Sequence, residues 1–222
     1  MNFISHIVTS VRFYLSHTVI HIYTECVCSN SLDIRNGVEE KPLYEPKILH
    51  DVDFDASKCA TYSPEISHTS PGEGLLMRPL CRGDYDRGYI QLLGQLTTVG
   101  DISQEEFNVR YNSMESCLDS YYITVVEDTC TGQVIASGTL VKEQKFIHKC
   151  SARGRIEDIV VDSKYRGKQL GKLILDVLTI LSKKVGCYKV SLECKDKLVP
   201  FYSQFGYQKE DEQNYMCRRY SD

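Results

Sequence analysis

Arg155-Ile156-Glu157-Asp158-Ile159-Val160-Val161 and, one short loop later, Arg166-Gly167-Lys168-Gln169-Leu170-Gly171 decide how this chain folds. The first run reads as a β-strand with two carboxylates in its middle. The second is a basic, glycine-bearing turn that opens an amphipathic helix from about Lys168 to Val185. In that helix Leu170, Leu173, Ile174, Val177, Leu178 and Leu181 recur at i, i+3, i+4, i+7 spacing, which marks a core face. Gly186 supplies the stop. Backbone N–H groups at a helix start form an anion site, and here they favour phosphate. Arg166 and Lys168 sit where the helix dipole disfavours cations, so an anion between them makes sense of the pattern. The stretch implies an anionic cofactor beside an acid-lined pocket.

Working outward, Cys187–Cys194 reads as a strand, and a right-handed crossover places it parallel and adjacent to 155–161. Leu198–Phe205 reads as a short helix with Pro200 in its first turn, and Tyr215–Tyr220 as a final strand. Upstream, Tyr121–Glu127 and Gln133–Val141 flank a five-residue turn and form an antiparallel hairpin. Ser103 with Glu106 three residues on is a capping box for a helix to about Leu118. Asp84 is expected to cap a helix reaching Leu96, and Leu75–Leu80 to form a strand closed by Pro79. The order β α α β β β α β α β predicts an α/β fold (mixed α+β): a central mixed, twisted sheet flanked by helices. Residues 73–222 are assigned to this domain and residues 1–72 to an extension and lead-in, poorly ordered over 1–40. Pro42, Pro46, Pro64 and Pro71 break any period within 29–72.

Bulk properties narrow the function. The 222 residues carry a formal net charge of −4, with no Lys/Arg run longer than two, which argues against binding nucleic acid. The ten cysteines are scattered without metal-ligand spacing, and His148 has no ligand partner, so no metal is expected. Cysteines inside strand-like runs suit a reducing, cytoplasmic compartment. Residues 1–28 are apolar and aromatic, but Arg12, His6, His17 and His21 interrupt them, which argues against a signal peptide or membrane span.

Four segments taken in order resemble a known family: Lys145-Phe146-Ile147-His148, Arg153-Gly154-Arg155-Ile156-Glu157-Asp158, the turn 166–171, and Tyr188-Lys189-Val190-Ser191-Leu192-Glu193-Cys194. With the element order and Phe201-Tyr202 before Phe205-Gly206-Tyr207, they are similar to the acetyl-CoA-dependent GNAT N-acetyltransferases, which share the acyl-CoA N-acyltransferase fold. Within those they resemble the glucosamine 6-phosphate N-acetyltransferase family, from about Asp53 to Tyr220. The resemblance implies acetyl transfer to the amine of glucosamine 6-phosphate, in UDP-N-acetylglucosamine biosynthesis, by a homodimer whose site is completed across its interface. It implies that Arg166, Gly167, Lys168, Gln169, Leu170 and Gly171 cradle the pyrophosphate of CoA. Ile159, Val160 and Val161 line the pantetheine arm. Glu157, Asp158, Glu193, Arg218, Thr97 and the segment Lys145, Phe146, Ile147 and His148 contact the sugar phosphate. Tyr202 lies near the sulfur. Two positions depart from pattern: Gln169 where the wider family has glycine, and Leu198 where many members have asparagine.

The reaction requires a neutral amine and a stabilised thiolate leaving group. Glu193 is the candidate to orient or deprotonate the ammonium, against the plain alternative of a surface carboxylate. Tyr202 is the candidate acid at sulfur, against that of half-buried packing. Glu157 and Asp158 point to opposite faces of a regular strand, so both serve one pocket only if the strand bulges. Otherwise one pairs with Arg153 or Arg155. Lone basic residues such as Lys145, His148 and Arg218 are ordinarily surface charge. Two other functions remain: the same fold with a polyamine or protein amine as acceptor, and an acyl-CoA-binding module without turnover.

Overall fold

The computed structural model describes residues 40–220 and, before them, two short strands, β1 (Ile34–Arg35) and β2 (Val38–Glu39), which pair antiparallel. The chain then runs α1 (Pro46–His50), α2 (Phe54–Ser57), β3 (Leu75–Pro79), α3 (Tyr89–Leu93), α4 (Gln104–Ser116), β4 (Tyr121–Asp128) and β5 (Gln133–Gln144). It continues through the turn α5 (Ile147–Cys150), β6 (Ala152–Val161), α6 (Leu170–Lys184), β7 (Cys187–Leu192) and α7 (Val199–Ser203). The expectations placed on residues 1–33 lie outside the described residues.

Runs of Val, Ile, Tyr and Thr make β4 and β5 strands, and both are buried on both faces along most of their length. Five strands form one sheet in the order β3-β4-β5-β6-β7. Neighbours from β3 to β6 are antiparallel, and β6 and β7 are parallel, as the crossover rule requires. The expected α/β fold with a mixed sheet is therefore present. Helix α6 lies against β5, β6 and β7, with Leu173, Ile174, Val177, Leu178 and Leu181 fully buried. Gly186 takes a φ of 84° just after it. The capping box of α4 forms: Ser103 Oγ accepts from Glu106 N–H at 3.2 Å, and Ser103 N–H donates to Glu106 Oε2 at 2.8 Å.

Three expectations fail. The helix predicted over 84–96 is a 3-10 turn, Arg82–Tyr85, followed by the short α3. Gly88, at φ 81°, breaks it, and Asp84 is no α-helical cap. Its fully buried carboxylate accepts from both terminal guanidinium nitrogens of Arg78, at 2.8 and 2.7 Å, and from one of Arg87 at 2.9 Å. Second, Tyr215–Tyr220 forms no strand; the sheet ends at β7, and Tyr215, Met216 and Tyr220 stand 67–89% exposed. Third, residues 40–72 are more than a lead-in to the domain. Leu43, Leu49, Val52, Phe54 and Ile66 are buried in the same core as the sheet. Tyr44 bonds Thr124 at 2.6 Å, so the boundary at residue 73 divides one packed body.

Candidate active site

A β-bulge builds the site. Ser137 pairs with Val160 and Thr139 with Glu157, so Asp158 and Ile159 together face the single residue Gly138. Asp158 takes a left-handed φ of 54° to accommodate the extra residue. The condition under which Glu157 and Asp158 can serve one pocket is thus met. Gly138 is required because a Cβ there would lie 2.4 Å from Cγ2 of Ile174. Pairing of β6 with β7 runs only from Ala152–Cys187 to Ile156–Leu192. From Glu157 to Val161 the edge of β6 that faced β7 carries no strand.

At that opening the chain gathers carboxylates. Glu157 lies within electrostatic reach of Asp158, Glu193 and Glu143. Burial raises its carboxyl above the usual range, Arg155 opposes the rise, and the three acids add to it. Arg155 Nε sits 2.9 Å from Glu157 Oε1, so the pairing alternative also holds in part. Glu193 is exposed, one residue past the end of β7, with Tyr215 beside it. Arg155, Glu143 and Tyr215 escaped the sequence reading as site members. Only the even spacing of Glu143, Lys145, Arg153, Arg155 and Glu157 hinted at a shared charged face.

Tyr202 is half-buried on α7, its ring 5.2 Å from that of Phe201 and 6.3 Å from that of Tyr207. Burial, then the neighbouring Cys194, pushes its phenol upward, so it remains protonated. Lys145 pairs with Glu143 at 2.6 Å, tying the segment 145–148 to this face. Phe146 and Ile147 are exposed, and His148 stacks on Tyr188 of β7 with ring centres 4.1 Å apart. Thr97 lies exposed on the loop after α3, and Arg218 sits over the ring of Tyr220 at 5.2 Å. No contact among the described residues brings either to the carboxylates.

The turn 166–171 sits at the far end of the same strand edge. Gly167 and Gln169 are both left-handed, with φ of 85° and 63°, and Arg166 Nε reaches back to the carbonyl of Val161 at 3.4 Å. The first N–H groups of α6, on Leu170, Gly171 and Lys172, have no partner within the helix by its geometry. Lys168 lies over the Tyr165 ring at 4.9 Å, and the Tyr165 hydroxyl donates to Asp128. An open strand edge leading to a cationic helix start fits a long thioester carrier ending in phosphates. Among the described residues no group of three or more His, Cys, Asp or Glu is placed to hold a metal, and the eight cysteines are free thiols.

This combination of bulged strand, parting strands and anion-binding turn defines an acyl-CoA-dependent acyltransferase scaffold. Residues 92–207 match the Acetyltransferase (GNAT) family model, so the chain belongs to that family. It is 49% identical over 170 residues to a Drosophila melanogaster protein named "Probable glucosamine 6-phosphate N-acetyltransferase", covering 76% of this chain and 77% of that one. The glucosamine 6-phosphate N-acetyltransferase of Candida albicans is 41% identical over 66% of this chain and 97% of its own. The crystal structure of the Arabidopsis thaliana enzyme of that name superposes with a TM-score of 0.62 at 39% identity, covering 68% of this chain and all of that one.

Proposed function

We propose that this acetyltransferase moves acetyl from acetyl-CoA to the amine of glucosamine 6-phosphate, giving N-acetylglucosamine 6-phosphate for UDP-N-acetylglucosamine synthesis. The observation that carries the reading is the group Glu157, Asp158 and Glu193 at the free edge of β6, in line with the cationic turn. The names of the relatives support the acceptor.

Acetyl-CoA, when bound, supplies the activated thioester. Its phosphates would be held by the turn from Arg166 to Gly171, and its arm by the backbone of Ile159, Val160 and Val161. The acceptor arrives as an ammonium, which the carboxylates attract and orient. Glu193 takes a proton from it, directly or through water, to free the lone pair. The Tyr202 O–H would meet the departing sulfur. A thiol ionises near ~8.5, well below this raised phenol, so Tyr202 stabilises the thiolate by a hydrogen bond rather than by outright proton loss. Thr97, Lys145, Phe146, Ile147, His148 and Arg218 form the phosphate end of the acceptor site.

Arg218 reaches that site in a homodimer. The unpaired edge of β7 and the exposed Phe146, Ile147, Tyr188, Met216 and Tyr220 support pairing of two copies there. The free thiols support a cytoplasmic location, and among the described residues no helix is long and apolar enough to cross a membrane. A thiol-release assay with acetyl-CoA tests the reaction. Glucosamine 6-phosphate should turn over far faster than glucosamine or a polyamine; equal rates would remove the phosphate-binding role.

A further inference from the structure

Gln169 stands where the wider family has glycine, and its backbone shows why glycine suits the place: φ is 63° and ψ 9°, in the left-handed region. A side chain there carries a steric penalty unless something offsets it. What offsets it comes from the segment 59–64, more than a hundred residues away in sequence. The Gln169 side-chain oxygen accepts from Ser63 N–H at 3.3 Å, and its nitrogen donates to the carbonyls of Ser63 at 3.1 Å and Pro64 at 3.3 Å. Both ends of the amide are engaged by this segment.

The segment is itself fixed along the same side of α6, at i, i+3 and i+7 from Gln169. Lys172 donates to the Thr61 carbonyl. Asp176, fully buried, accepts from Cys59 N–H at 3.0 Å, Ala60 N–H at 3.3 Å and the Tyr62 hydroxyl at 2.9 Å. These three bonds satisfy a carboxylate buried in the middle of an apolar helix. Ala60 and Phe54 anchor the segment in the core.

We infer that Gln169 is a positioning residue: the strap 59–64 holds its amide, the amide holds the left-handed turn, and the turn presents its N–H groups to the phosphates of CoA. The inference rests on the acetyl-CoA reading above. Gln169 then acts through backbone conformation, and its side chain faces away from the cofactor.

The test uses the full chain and CoA itself, by calorimetry, with amide hydrogen exchange at Ser63 as a readout independent of activity. Gln169→Ala keeps the left-handed strain and loses the brace. It should weaken CoA binding about tenfold, and raise the KM for acetyl-CoA similarly, with kcat and acceptor KM nearly unmoved. Gln169→Gly loses the same bonds but takes the turn conformation freely, so Ser63 exchange speeds up equally while CoA affinity returns to within about threefold of wild type. Tyr62→Phe, which loosens the strap at Asp176, should weaken CoA binding about threefold in the wild-type background and not at all on top of Gln169→Gly. Equal losses in Ala and Gly variants would mean that the side chain contacts the cofactor, and the brace would fall. An equal effect of Tyr62→Phe in both backgrounds would likewise overturn it. Wild-type chain that takes up no CoA would instead sink the cofactor reading beneath it.

Discussion

Asp158 owes its place in the site to one backbone angle. In a regular strand it would face away from Glu157; at φ 54° in a bulge it joins the same carboxylate group. The sequence states the alternation but holds no mark of the bulge except Gly138 on the neighbouring strand, which is legible only once the register is known. Gly138→Ala should cost about 1–3 kcal/mol, because the new methyl meets Ile174 in a packed core; denaturant unfolding measures it. Tyr202→Phe should lower kcat more than it raises the KM for acetyl-CoA, and unchanged turnover would take Tyr202 out of the mechanism. Asp84, which resembles a cap in sequence, is an internal anion. Burial raises its carboxyl, but Arg78, the Cys81 N–H and Arg87 outweigh that and leave it below its ordinary 3.8. A carboxyl lowered on folding stabilises above its unfolded value, and that stability is lost as pH falls through the folded one. Asp84→Asn should therefore cost about 3–5 kcal/mol at pH 7, a gap that narrows below about pH 4, in urea unfolding at the two pH values.

Elements place these residues, and side-chain contacts between elements tie the loops to one another. Gln95, just past α3, donates to Asp162 Oδ2 at 2.8 Å and accepts from Ser163 N–H at 2.9 Å. It clips the loop bearing Thr97 onto the segment between β6 and the cofactor turn. Gln95→Ala should raise the KM values for acetyl-CoA and acceptor together, about threefold, with little change in melting temperature. A change in one KM alone would show that the clip does not join the two sites. Helix α6, the β4–β5 hairpin and the parallel β6–β7 pair were all legible because each depends on local period or turn chemistry. The helix over 84–96 is not legible as two pieces because its apolar spacing continues across Gly88, whose left-handed backbone interrupts it.

For the whole molecule, one group of exposed apolar residues, Phe146, Ile147, Tyr188, Tyr215, Met216 and Tyr220, comes from the segment before β6, from β7 at the free edge of the sheet and from the tail after Gly206. The tail Tyr215–Tyr220 reads as a strand, yet among the described residues it pairs with no other strand. If the proposed homodimer forms through this surface, Met216→Glu should shift the chain toward monomer in sedimentation and lower turnover with it. Activity retained in a monomer would separate the site from the interface.

Composition, period and turn chemistry by themselves determined the order of elements from β4 to α7, the core face of α6, the basic turn and the acidic strand beside it. Those features rest on neighbours within a few residues, so a linear reading reaches them. The tertiary structure alone decided the bulge that brings Asp158 beside Glu157, the burial of Asp84 among arginines and the strap that grips Gln169 and Asp176. Arg78 meets Glu127 across 49 positions and Cys59 meets Asp176 across 117. Contacts of that span have no period for a sequence to display; they exist because burying a charge or a left-handed residue demands a partner, and only the folded chain brings one.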